Sequence, residues 1–191
     1  MDNGDTQRQF RQLVLGTPWM RHALEAAREV GAPDWLIGAG AIRDVVWDHL
    51  HGIREPMPPK DIDLVFFDAA QLEGEREAQC LALLRKEAPE IPWHVKNQAA
   101  VHLWYPIVFG IRVDPLASAE EAVATWPETA TSVAVRLLHD DVLQIVAPMG
   151  LDDLFGLVCR RNPRRVTVRE YRRRVRAKRI AERWPMVTIL D

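Results

Sequence analysis

Cysteine is nearly missing from this 191-residue chain, which has only Cys80 and Cys159. The two stand far apart and in no metal-ligand spacing, so both are read as structural, reduced thiols. Long apolar runs are missing too, and none approaches the roughly 18 residues of a membrane span. The opening MDNGDTQRQF is polar and lacks an apolar signal core. A cytoplasmic protein that does not engage a membrane is therefore expected. There is no internal repeat, no low-complexity tract and no linker strong enough to separate domains. What remains is an ordinary globular mixture, 48% apolar and 27% charged, able to bury a sizeable core.

The net charge of −2 hides an asymmetry. Between Arg160 and Arg183 stand 12 Lys or Arg against Glu170 and Glu182, a net of +10 that leaves about −12 on the rest. A basic stripe on an acidic body points to contact with a polyanion or with the body itself. The arginine-rich tail suits RNA phosphates. It equally suits packing over the body through Tyr171, Val175, Ile180 and Trp184.

Hydrophobic periodicity predicts an α/β (α+β) protein with a helical lead, a strand–helix–strand core and a basic C-terminal helix over 168–183. One unit over 1–191 is expected: a helical lead over 1–34, a core over 35–115, and a C-terminal sheet and helical extension over 116–191. In the lead, Gly16-Thr17-Pro18 marks a helix break. In the core, strands are expected at 35–39 and 61–67, helices at 41–51 and 71–88, and a loop at 52–59. Further strands are expected over 91–97, 99–105 and 106–113. A hairpin is expected around His139-Asp140-Asp141, and a short helix over 151–159.

Two segments carry chemistry. Residues 36–46, LIGAGAIRDVV, run a strand into a glycine-bearing turn and then a helix. Gly38 and Gly40 permit close approach of a ligand, and the first helical amides form an anion site reinforced by the dipole. A plain strand-to-helix turn is the alternative. A dinucleotide-binding turn is disfavoured, because Arg43 stands where that motif needs its third glycine. Arg43 can grip a phosphate or simply pair with Asp44. The second segment, KDIDLVFF, places Asp61 and Asp63 on one face of a strand, with Ile62, Leu64 and Phe66 on the other. Two such carboxylates suit a hard divalent cation, and a solvated strand start is the alternative.

Taken in order, Gly-Ala-Gly-Ala-Ile-Arg-Asp, a helix, a loop and Lys60-Asp61-Ile62-Asp63-Leu64 resemble the head domain of CCA-adding enzymes and poly(A) polymerases, of the polymerase-beta-like nucleotidyltransferase superfamily. The whole chain is similar to a bacterial family of small nucleotidyltransferase-like proteins. The matching stretches are GAGAIRDVVWDHLHG, KDIDLVFFD, WHVKNQAAVH, TWPETATSVAVRL, APMGLDDLFGLVCR and a terminal Lys178 with Trp184-Pro185; they cover most of 15–187. The resemblance implies the polymerase-beta-like nucleotidyltransferase fold, a mixed central sheet flanked by helices. It implies that Gly38, Ala39 and Gly40 cradle an NTP triphosphate, that Asp61 and Asp63 are catalytic and bind Mg²⁺ or Mn²⁺, and that Arg43 and Asp44 lie near the nucleotide. Asn97, Gln98, His102 and Lys178 join them as nucleotide-binding candidates. Many superfamily members draw a third carboxylate from a later strand. Here IPWHVKN offers His94, Lys96 and Asn97 but no acid, which leaves Asp68 and Asp114 as substitutes.

The function so implied is transfer of a nucleoside monophosphate from an NTP to a hydroxyl acceptor, RNA or a small molecule, with release of pyrophosphate. A non-catalytic nucleotide- or RNA-binding module and an antitoxin-like interaction protein are the alternatives. Trp104 and Trp126 are candidates for base stacking as well as for the core.

Overall fold

The computed structural model describes residues 3–54, 56 and 58–191. Within the expected 52–59 loop, Glu55 and Met57 lie outside the described residues, as do Met1 and Asp2 of the helical lead. The chain opens with α1 (Asn3–Gly16) and α2 (Pro18–Val30), broken at Thr17 as its proline dictates. Gly31 ends α2 in the left-handed conformation, with its amide bonded to the Ala27 carbonyl. Then follow β1 (Leu36–Gly38), α3 (Gly40–Leu50), β2 (Ile62–Phe66), α4 (Glu75–Glu87) and β3 (Trp93–Asn97). Next come α5 (Val101–Phe109), α6 (Ala119–Val123), β4 (Ala134–Leu137), β5 (Leu143–Val146) and α7 (Asp152–Phe155). The last elements are β6 (Val158–Arg160), α8 (Val168–Ala177), α9 (Ile180–Arg183) and β7 (Thr188–Leu190).

A mixed five-stranded sheet runs in the order β3-β2-β1-β4-β5, with only β2 and β3 parallel. Parallel neighbours need a crossover, which α4 supplies. One face buries Ile37, Ile62, Leu64, Phe66 and Val135 against α1–α4, as the alternation of β2 predicts. The other face carries a smaller cluster, Leu36, Val65, Ala134 and Val146, covered by Ala119 and Val123 of α6. That thin cover leaves one end of the sheet, with Asp63 and His94, facing a cleft.

Three expectations are corrected. Residues 99–105 and 106–109 are not strands. The Asn97 side chain accepts the Ala99 amide, turning the chain into one short 3-10 turn that continues as α5, and Gly110 closes α5 in the left-handed region. The valine, isoleucine and aromatic content of this stretch reads as strand, yet it lies on a helix whose Ile107 and Val108 face solvent. The expected helix over 151–159 stops at Phe155 and becomes β6, which pairs in parallel with β7. The basic helix over 168–183 breaks at Lys178-Arg179, where Arg179 adopts a positive φ of 52°.

The tail packs on the body. Tyr171, Val175, Ile180 and Trp184 are all buried in the main core. Trp184 meets Trp47 edge to face at 5.2 Å, and Tyr171 donates to the Cys159 carbonyl at 2.6 Å. No helix among the described residues is long and apolar enough to cross a membrane.

Burial raises the thiol pKa of Cys80 and pushes that of Cys159 up to about 11. Both thiols therefore stay protonated near neutrality. Iodoacetamide at pH 8 should leave both unlabelled in the native protein and label both in denaturant, as read by mass spectrometry.

Candidate active site

The glycine turn owes its shape to packing as much as to any ligand. A Cβ on Gly38 would lie 2.7 Å from both the Ala134 Cβ and the Trp126 ring. Gly38 is thus needed where β1 passes beneath an indole. We expect Gly38→Ala to cost about 1–3 kcal/mol through overpacking, seen as an earlier urea midpoint together with a shifted tryptophan emission. Ala39 follows at φ 56° and ψ −125°, a strained conformation for a side-chain-bearing residue. Its carbonyl accepts the Arg43 amide, the first bond of α3. The amides of Gly40, Ala41 and Ile42 precede that bond and so lack intrahelical partners.

Antiparallel pairing sets Asp63 opposite Gly38. Asp61 lies one residue before β2, half exposed, and Lys178 Nζ approaches its Oδ1 to 3.8 Å. On the parallel neighbour β3, His94 stands in register with Asp63, with its Nδ1 2.7 Å from the Asp63 carboxylate. That bond raises the His94 pKa.

A cavity of about 670 Å³ opens beside Lys60, Asp61 and His94. Two more border the glycine turn. One, of about 510 Å³, is lined by Gly40, Arg43, Asp44, Lys60, Asp61, Lys178, Arg179, Glu182 and Arg183, with five cations against three acids. The other, of about 280 Å³, includes Ala39, Asp63, Lys96, Gln98, Trp104, Tyr105, Phe109, Trp126, Arg165 and Arg174. The turn and the Asp-x-Asp segment therefore each give one residue to either side. Sequence reasoning missed Arg165, Arg179 and Arg183; the density of arginine in the tail was their only signal.

Several expected site residues have structural work. Asp44 is buried, accepting from Arg43 Nε and Nη2 at 3.0 and 2.7 Å and from Arg183 Nη1 at 2.5 Å. Asp48, one turn on, accepts from Trp184 Nε1 and Arg183 Nη2. The Arg43 guanidinium stacks 4.9 Å from the Trp184 ring. The Arg-Asp pair is thus a buried clasp between α3 and the tail, although Arg43 still borders the cationic cavity. Asn97 is also committed. Its oxygen accepts from Asp68 N and Ala99 N, and its amide donates to Asp68 O and Gln71 O, which fills all four of its bonds. Gln98 does line the aromatic cavity. The Nδ1 of His102 is buried without a hydrogen-bond partner. Of the substitute acids, Asp68 caps its own turn at Ala70, beyond the far end of β2, and Asp114 is exposed.

Among the described residues, no group of three or more His, Cys, Asp or Glu is arranged to hold a metal ion. The candidate donors are the Asp61 and Asp63 carboxylates, which border different cavities of this junction. Such a pair fits a divalent cation that arrives with a nucleotide, because phosphate oxygens and water fill its remaining positions. It does not fit a resident cation caged wholly by protein.

A solved structure described as "The NMR structure of the protein reveals a CCA-adding enzyme head domain" superposes with a TM-score of 0.80 at 24% identity, over 95% of this chain and 94% of that one. That likeness establishes the fold. No curated protein matches. The nucleotidyltransferase family model matches residues 25–189. With nearly its whole length inside that match, the chain belongs to the nucleotidyltransferase family.

Proposed function

We propose that this protein is a metal-dependent nucleotidyltransferase that moves a nucleoside monophosphate from an NTP to a hydroxyl acceptor and releases pyrophosphate. The observation that carries the reading is the register of Asp63 on Gly38, which sets a carboxylate beside the turn that opens α3. The free amides at the start of α3, with Lys60 and Lys178, favour the triphosphate on the side of the 510 Å³ cavity. Asp61 and Asp63 would hold Mg²⁺ or Mn²⁺, which supplies charge neutralisation at the α-phosphate and lowers the pKa of the attacking hydroxyl. Lys178, beside Asp61, adds a positive charge near the departing phosphates.

The His94–Asp63 bond favours a second reading, a nucleotide-binding module without turnover, because it occupies one oxygen of a metal-binding carboxylate. Calorimetry with each NTP, with Mg²⁺ and then with excess EDTA, tests both. Tight binding that EDTA weakens at least about tenfold is expected, since phosphate recognition through the aspartates requires the cation. Pyrophosphate release on adding small hydroxyl compounds or RNA identifies the enzyme. Binding with no release from any acceptor identifies the module, and no NTP binding ends both readings.

A further inference from the structure

We propose that the 280 Å³ aromatic cavity is the acceptor site, and that the acceptor is a small hydroxyl compound with a planar apolar body and one carboxylate or phosphate held by Arg165. This rests on the nucleotidyltransferase reading.

Direction comes from the chemistry. In an in-line displacement, the attacking and leaving oxygens lie on opposite sides of the α-phosphorus. The acceptor oxygen forms a bond to phosphorus, and the bond from phosphorus to the bridging oxygen breaks. The electron pair leaves with pyrophosphate, and the acceptor's proton passes to water. The cationic cavity takes the pyrophosphate, so the acceptor approaches from the other side of Asp61-Ile62-Asp63. That side, bordered by Asp63 and Ala39, is the aromatic cavity.

Charge selects the class of ligand. Lys96 is paired with Glu77, Arg174 with Glu128, Glu170 with Arg173, and Asp63 with His94. Arg165 is the exception. It lies half-buried over the Tyr105 ring at 5.5 Å, and no carboxylate of the described residues reaches ion-pair distance of it. A partly desolvated guanidinium against an aromatic wall is a preorganised anchor for an anion. Trp104, Tyr105 and Phe109 supply the apolar wall.

Size and the tail argue against RNA. The cavity lies near the low end of small-molecule pockets, which span about 300–1,000 Å³. Arg172, Arg173, Arg174, Arg179 and Arg183 are each engaged with acids of this chain, and Arg164, Arg169 and Arg176, unpaired among the described residues, do not line this cavity.

The test measures binding before turnover. Ligand-observed NMR on the full chain follows 4-hydroxybenzoate, 4-hydroxyphenyl phosphate and the neutral 4-hydroxybenzamide, with short RNA in parallel and MgATP titrated by calorimetry. The anionic probes should bind and the amide should not. Arg165→Gln should weaken the anions about tenfold or more, Trp104→Leu should weaken them too, and MgATP affinity should stay within about twofold. The two anionic arms separate a carboxylate acceptor from a phosphate one. Loss of MgATP affinity in Arg165→Gln, with no effect on the probes, assigns the cavity to the nucleotide and overturns the proposal. Failure of every anionic probe, or salt-sensitive RNA binding that Arg165→Gln abolishes, overturns it as well. Wild type that binds probes but no NTP defeats the nucleotidyltransferase reading and, with it, the acceptor role.

Discussion

Asp63→Asn should lower nucleotidyl transfer about a hundredfold or more while leaving the fold in place. The asparagine is nearly isosteric and still offers an oxygen to His94, so packing around β2 is preserved. It lacks the negative charge, however. Metal-centred stabilisation of a phosphoryl-transfer transition state is worth several kcal/mol, and about 2.7 kcal/mol already corresponds to a hundredfold in rate. Steady-state pyrophosphate release, compared with the urea midpoint of the same preparation, separates catalysis from stability. A second readout follows from the His94 pKa, which the Asp63 hydrogen bond and charge raise in the wild type. Removing that charge should move the His94 titration, followed by proton NMR, to lower pH. Wild-type turnover in Asp63→Asn would sink the assignment of Asp63.

Asp44→Ala should cost about 3–5 kcal/mol of stability, the usual consequence of stripping one partner from a buried ion pair. The Arg43 guanidinium would remain between Trp47 and Trp184 with its carboxylate gone, and Arg183 would lose one of its two acids. Asp44→Asn retains an acceptor and should lose less. Denaturant unfolding measures both. If Asp44→Ala instead kept the wild-type midpoint and lost only MgNTP affinity, the clasp would be incidental and the nucleotide its true partner.

These two residues show how far the sequence could be read. The buried face of β2 was legible because strand alternation is a local rule: Ile62, Leu64 and Phe66 had to be inward if Asp63 was not, whereas Asp61 precedes the strand and borders a different cavity. The strand-turn-helix around Gly38 was legible for the same reason. The tail was legible only as a choice between RNA and the body; the burial of Tyr171 and Trp184 settles that they pack inward. What could not be read depends on distant partners. Nothing local tells Asp44 that Arg183 will reach it, or Asn97 that the Asp68–Gln71 turn will consume its amide. The helix over 101–109 was missed because its apolar side chains, some facing solvent, imitate strand composition. Arg165 looked like one arginine among many until the cavity put it beside Tyr105.

The clasp has a consequence for how the protein is made. Arg183 meets Asp44 from 139 positions downstream. Until that arginine is delivered, Asp44 has only its neighbour Arg43, and Asp48 lacks both Arg183 and Trp184. The helix whose first turn frames the glycine loop is therefore secured only once Arg183 has been added, so binding competence should emerge after the synthesis of the tail rather than with the glycine turn itself.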